Sequence, residues 1–416
     1  MNTKRQVNLG ISALAGLALA GTLHAQQLTV GNVSFQQRTD GSKKVDISYT
    51  VGGGTAPYHV SVQVSNDGGA TYAVAATSFT GAVGANQTAG TAKVITWDAA
   101  ADWAGNYSAT MRFRVNATDS EPPPDGFALI PAGPFQMGDQ SSPLVGYSDE
   151  RPVHTVQVSA FYLGKYEVTK EDWDAVRTWG LANGYTDLPA GNGSYASKGA
   201  NHPVHSIDWY AMVKWCNARS QKDGLTPCYT VSGATYKTGS SDAVACNWAA
   251  NGYRLPTEAE WEKATRGGVA GKNFPWGTDT ITHSQANYCV YSSNGTTNYY
   301  AYDLTPRPGY STTAYYHPTY AVGGSPYSSP VGSFAPNGYG LYDMAGNMWE
   351  WCWDWFGSYA AGWQTDPRGP ATGSYRVFRG GCWLSDSDRA RCALRNYNYP
   401  TYADDFNGFR LARGQP

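Results

Sequence analysis

The chain has 416 residues, a formal net charge of -2, 15% charged and 14% aromatic residues, and 48 glycines. So even a balance offers no basic face, which excludes nucleic acid and an anionic membrane surface as electrostatic partners. The length exceeds one ordinary core, so two domains are expected, and the abundance of glycine and large rings suits a loop-rich extracellular fold.

At the N-terminus Lys4 and Arg5 precede an apolar run from about Leu9 to Ala20, and Ala18-Leu19-Ala20 and Leu23-His24-Ala25 offer small-residue cleavage sites. Residues 1–25 therefore read as a secretory signal peptide, and the protein as exported: periplasmic, cell-surface or secreted. The run is shorter than the roughly 20 residues a spanning helix needs, and no later segment qualifies as a membrane span. From Gln27 to about Asp119 short alternating stretches follow, Val45 to Val51, His59 to Val64 and Met111 to Val115. Turns are supplied by Gly52-Gly53-Gly54, Asn66-Asp67-Gly68-Gly69 and the segment Asp102 to Asn106. Period-two alternation between turn signals predicts antiparallel strands, hence a small all-β sandwich over 27–119 resembling immunoglobulin or fibronectin modules. It concentrates no His, Cys or paired acids. Residues 120–126, with Pro122-Pro123-Pro124, read as a stiff linker.

Beyond the linker three helices are announced by capping chemistry. Thr169-Lys170-Glu171-Asp172 precedes Trp173 and Val176; Ser206 or Asp208 opens a helix carrying Trp209, Met212, Val213 and Cys216; Thr257-Glu258-Ala259-Glu260 is a capping box. The remainder is rich in Gly, Asn, Pro and aromatics, which predicts an α+β domain with little regular secondary structure rather than a doubly wound sheet. All seven cysteines lie here, at 216, 228, 246, 289, 352, 382 and 392. Export makes disulfides the default, and the pair flanking the excursion Tyr229 to Ala245, Cys228 with Cys246, is the expected bridge. Cys382 and Cys392 stay open between a bridge and chemistry.

The segments then arrive in a particular order: Phe127 to Gly138, Glu150-Arg-Pro-Val-His154, Phe161 to Thr169, His202 to Trp209, and Tyr253 to Glu262. Phe274-Pro-Trp-Gly277, Pro336 to Trp351, Arg379-Gly-Gly381, Arg391 to Arg395 and Gly408-Phe-Arg410 complete the series. Together they resemble the formylglycine-generating-enzyme (sulfatase-modifying-factor, FGE-sulfatase) family over 127–413. The resemblance implies a C-type-lectin-like fold.

Asp343 and Glu350 offer two hard oxygen ligands with Gly346 between them to turn carbonyls inward, which is calcium chemistry rather than zinc or copper chemistry. The alternative is that Asp343 caps a turn and Glu350 makes an ion pair. By resemblance the Asp343 and Glu350 side chains, with the carbonyls of Gly346 and Met348, match a structural calcium site, and a second would begin at Asn287. The family's oxidases, as the resemblance implies, bind Cu(I) through two cysteines a few residues apart. Here the first of those positions falls on Ser385, the segment is too short for the second, and Cys392 matches a structural cysteine whose partner position holds Thr265. That leaves Cys382 and Cys392 as the substitute pair. Trp349 and Trp383 would line the cleft by resemblance, or belong to the core. His154, His202 and His205 lack metal-ligand spacing, so iron chemistry is not expected.

Two functions follow as expectations. One is a binding or accessory protein displaying a lectin-like surface for a protein or glycan ligand through Tyr397, Asn398, Tyr399, Tyr402, Asp404, Asp405 and Asn407. That stretch also resembles the variable C-terminus of retroelement-diversified proteins. The other is a copper-dependent oxidase converting a cysteine to formylglycine in a partner sulfatase.

Overall fold

Alternating side chains over 28–118 pair into two antiparallel sheets. Strands β1 (Thr29–Gln37), β2 (Lys44–Gly52), β3 (Tyr58–Ser65), β4 (Phe79–Gly81), β5 (Gly84–Gln87), β6 (Gly90–Asp98) and β7 (Arg112–Thr118), with the short helix α1 (Ala99–Asp102), form them in the orders β1-β2-β6-β4 and β5-β3-β7. Val45, Ile47, Tyr49 and Val51 of β2 are buried and their neighbours half-buried, the signature of one wet face. Trp97 is fully buried, and its indole N–H donates to Asp102 at 2.8 Å. Asp102 also accepts the backbone N–H groups of Thr77 and Ser78 at 2.8 Å. Desolvation works against the Asp102 carboxylate, yet these donors hold it well below the usual range.

The computed structural model describes residues 28–415 apart from 55–57, 107, 119–122, 142–144, 194–198, 291–297 and 307–314. The expected signal peptide, residues 1–25, and residues 120–122 of the expected linker lie outside the described residues. The chain divides into two compact units between Pro122 and Pro123.

The second unit is built from short pieces. Its strands are β8 (Phe127–Ile130), β9 (Gly133–Met137), β10 (His154–Val158), β11 (Phe161–Gly164), β12 (Tyr229–Val231), β13 (Ala234–Thr235), β14 (Ala245–Cys246) and β15 (Tyr253–Arg254). There follow β16 (Trp349–Trp355), β17 (Gln364–Thr365), β18 (Arg376–Arg379), β19 (Arg395–Asn398), β20 (Asn407–Gly408) and β21 (Ala412–Gly414). Their sheets run β17-β10-β9, β15-β21-β11-β8, β13-β12-β14 and β19-β18-β16-β20. Helices α2 (Lys170–Ala182), α3 (Trp209–Lys222) and α4 (Glu258–Thr265) begin where the capping residues fall: Thr169, Asp208 rather than Ser206, and Thr257. Trp173, Trp209, Trp215 and Trp351 are fully buried, with Trp173 stacked on Trp215 at 5.7 Å. Indole donors reach backbone carbonyls, Trp173 to Pro189 at 3.1 Å and Trp209 to Cys352 at 2.9 Å, so these two rings are buried without stranding a donor, whereas Trp351 Nε1 has no partner among the described residues.

The excursion after Cys228 returns through β14, which pairs Tyr229 with Cys246. The thiols of Cys228 and Cys246 are hydrogen-bonded neighbours but unbridged.

Asp354, on β16, accepts the backbone N–H of Glu258 at 2.8 Å and so caps the start of α4. Burial, and then the charge of Glu258, push its carboxyl up to about 8. The native state therefore holds a proton that the unfolded chain, with an ordinary carboxyl near about 4, releases, and stability falls as pH rises through the window up to about 8. Asp354→Asn keeps the acceptor oxygen and removes the titration. Melting temperatures measured across that window should decline less steeply with pH in the variant; an unchanged slope would show that Asp354 is ionised when folded.

Candidate functional site

The sheet β19-β18-β16-β20 carries the site. Its register sets Trp351 opposite Phe378 and Phe378 opposite Asn396, which aligns aromatic and amide side chains across three strands. After β18 the chain turns through Gly380 and Gly381, both at positive φ. A Cβ on Gly381 would lie 2.9 Å from the Arg389 carbonyl oxygen, so only glycine passes here without strain. The next turn closes with the Ser385 N–H on the Cys382 carbonyl at 2.9 Å. It brings Cys382 Sγ within 3.2 Å of Ser385 Oγ. From another part of the chain the Cys289 N–H donates to the Ser385 carbonyl at 2.7 Å.

These residues open into one pocket of about 400 Å³. Trp349, Phe378, Tyr397, Tyr402 and Phe406 supply aromatic wall, Asn396 and Asn398 amides, and Cys289, Cys382, Ser385, Asp386 and Arg389 polar or reactive groups. Burial pushes the Cys382 thiol up to about 11, Ser385 offsetting part of the effect, so it is neutral at pH 7. Burial and the adjacent Asp388 hold the Asp386 carboxyl up to about 7, against the pull of Arg389. The arrangement can stack a ring or apolar group, hydrogen-bond a polar one and exchange a proton near neutrality.

Of the expected site residues, Trp349, Cys382, Ser385, Tyr397, Asn398 and Tyr402 meet in this pocket. Cys392, the expected substitute partner of Cys382, is not among the lining residues. Its backbone N–H bonds Asn273 and its thiol, raised to about 12 by burial, lies among Arg266, Glu262 and Arg379. Trp383 packs against Tyr316 and Tyr327 with ring centroids 5.7 and 5.4 Å away, outside the pocket lining. Asn407 is fully buried in β20, pairing with Trp349, so it displays nothing. Tyr399, Asp404 and Asp405 sit outside the lining: the Tyr399 hydroxyl meets that of Tyr375 at 3.1 Å, and Asp404 accepts the Tyr402 hydroxyl at 2.7 Å. Cys289, Asp386 and Phe406 were missed. Cys289 is nearly a hundred residues from Cys382 in sequence, and no local pattern links them.

The expected calcium residues lie in a buried acidic cluster beside the pocket. Glu350 is paired: Arg410 donates to both of its oxygens at 2.6 Å and Trp261 Nε1 to one at 2.7 Å. Asp343 has a positive φ and accepts the Gly332 N–H at 2.6 Å through one oxygen, while its buried Oδ1 has no partner among the described residues. Burial, then Glu350, raise its carboxyl to about 6, against the pull of Gly332 and Arg410. Asn287 Oδ1 is likewise buried and unpartnered. Gly346 packs on the Asn287 backbone, where a Cβ would fall 2.2 Å from its carbonyl oxygen. Glu167, which sequence reasoning missed, is buried, accepts the Met348 N–H at 3.1 Å and is raised well above its ordinary range by burial and by Asp343 and Glu350. Among the described residues no three His, Cys, Asp or Glu side chains group to hold a metal. The orphaned oxygens of Asp343 and of Asn287 are each hard donors of the kind calcium takes. Copper fits less well at its usual place, since a serine hydroxyl is a poor ligand for a soft ion.

The histidines are separately satisfied. His154 Nδ1 meets the Pro152 carbonyl at 3.0 Å, His202 Nδ1 the Ser328 hydroxyl at 3.0 Å, and His205 Nε2 the Gly193 carbonyl at 2.8 Å.

A family model described as a sulfatase-modifying factor enzyme 1-like domain matches residues 112–415. The formylglycine-generating enzyme of Thermomonospora curvata is 34% identical over 313 residues, covering 69% of this chain and 93% of that protein. That of Bos taurus is 32% identical over 331 residues, covering 74% and 82%. Among solved structures, Treponema denticola variable protein 1 superposes with a TM-score of 0.50 at 29% identity, covering 70% of this chain and 95% of that one.

Arg410 is the only cation that pairs with Glu350 among the described residues, and it is itself fully buried. Arg410→Met should therefore cost about 3–5 kcal/mol in denaturant unfolding, because it strands a buried carboxylate beside Glu167 and Asp343. A loss below about 1 kcal/mol would show that Glu350 has another source of compensation.

Proposed function

The chain belongs to the sulfatase-modifying factor enzyme 1-like (FGE-sulfatase) family, and on that premise we propose that it is an exported binding or accessory protein whose reaction pocket has become a ligand pocket. The observation that carries this reading is the lining itself. Ser385 stands where the resemblance places the first copper-binding cysteine, and the same pocket takes Tyr397, Asn398 and Tyr402 from the C-terminal loop. Hydroxyl, amide and aromatic groups make a contact surface for a protein or glycan, with Tyr giving area at low entropic cost. The likeness to Treponema denticola variable protein 1 supports a displayed, diversified loop of the retroelement type in this position.

Calcium held by Asp343 and Glu350 with the carbonyls of Gly346 and Met348, as the resemblance implies, would neutralise charge in the cluster with Glu167 and fix the turn from Asp343 to Met348, as a structural ion. Chelation should then lower the melting temperature by several degrees and calcium restore it, while Asp343→Asn should no longer respond to either. Melting unaffected by chelation would remove calcium from the account.

A second reading, a copper-dependent formylglycine-generating oxidase acting on a sulfatase, is favoured by the names of the curated relatives and by Cys289 lining the pocket beside Cys382. The two are separated by incubating the folded, copper-loaded protein with oxygen and a Cys-x-Pro-x-Arg peptide and following conversion of the thiol to an aldehyde by mass spectrometry. The binding reading expects no conversion. Turnover that disappears in Cys382→Ser would establish the oxidase instead.

A further inference from the structure

We propose that the first unit carries a binding site of its own, for a small molecule that joins an apolar body to an anionic head. In the register of β1 with β2, Phe35 lies opposite Ile47, so its ring belongs to the inner face of the sandwich. Ile47 is completely buried there, yet Phe35 remains 43% exposed. The space left is a cavity of about 520 Å³, within the range that takes small ligands. Phe35, Trp97, Met111 and Phe113 line its wall, the rings of Phe35 and Phe113 lying 4.8 Å apart and those of Trp97 and Phe113 5.8 Å apart. These ring positions are set by the sheets rather than by loops, so the wall is formed before any ligand arrives.

The polar part of the lining has one sign. Lys43 and Arg112 contribute to it, and no Asp or Glu does among the described residues. The acids on the neighbouring strands are already engaged, Asp46 with Arg38 at 2.8 Å and Asp98 with Lys44 at 3.8 Å. The Arg112 guanidinium donates to the Met111 carbonyl at 2.8 Å, and both cations are exposed. A carboxylate or sulfonate at the mouth, with its apolar body against the rings, satisfies both halves; a neutral apolar molecule satisfies one.

The test uses the full exported chain and 1-anilinonaphthalene-8-sulfonate, an aromatic anion whose fluorescence rises on apolar burial. Saturable binding at one site is expected, displaced about tenfold more effectively by dodecanoate than by dodecanol. Lys43→Ala with Arg112→Ala, both at exposed positions that leave the core intact, should weaken the anions about tenfold and leave dodecanol unchanged. Ala109→Trp, which fills the cavity, should abolish binding, with circular dichroism confirming that the fold persists. Equal competition by dodecanoate and dodecanol, or full binding retained in Ala109→Trp, would overturn the proposal; the second result would place the probe elsewhere on the protein.

Discussion

Irregular chain leaves backbone carbonyls without the ladders that helices and sheets provide, and the second unit meets that constraint with buried guanidinium groups. Arg410 donates to the carbonyls of Gly164, Lys165 and Tyr342 while its other donors hold Glu350. Arg379 does the same for Ala393 and Cys392 while held by Glu262, and Arg395 for Asp149 and Gly357 while held by Glu258. Five donors in a rigid fork suit this task, because one side chain can satisfy several loop oxygens and neutralise a carboxylate at once. Each pair costs desolvation, so its value lies in tying several loop carbonyls to one neutralised carboxylate.

The pocket depends on those clamps. Arg379 ends β18 and ties the chain around residues 392–394, so the turn from Gly380 to Ser385 is fixed at both ends. Arg410 holds Glu350 on β16, immediately after the pocket residue Trp349. The site is therefore a set of loops on rigid anchors, which suits a family whose members differ in the residues those loops present. On the proposed binding reading, the Ser385 hydroxyl acts as a hydrogen-bonding group rather than as a soft metal ligand.

The first unit solves the burial problem by other means. Its sheets satisfy their own backbone, and its single-sided alternation places Ile47, Tyr49, Ile95 and Trp97 inside without buried ion pairs. At Phe35 the same pattern that closes the core elsewhere leaves apolar surface exposed.

Local patterns in the sequence determined the strand alternation of the first unit, the capped starts of α2 and α4 and the ordered motifs that mark the family, and narrowed the start of α3 to Ser206 or Asp208. Each of these depends on neighbours a few residues apart: period-two burial, a side-chain oxygen three residues before an N–H, a glycine where φ is positive. They also marked Trp349, Cys382 and Ser385, which lie in or beside such motifs. What they did not determine was partnership across the chain. Asp343 and Glu350 look equivalent as oxygen ligands in sequence, but Arg410 takes one and leaves the other with an orphaned oxygen. Cys382 and Cys392 look like neighbours, yet the turn after Gly381 sends one into the pocket and the other among buried arginines, while the remote Cys289 enters the pocket instead. Only the tertiary structure decided these, because charge pairing and cavity lining depend on distances in space that residue spacing does not encode.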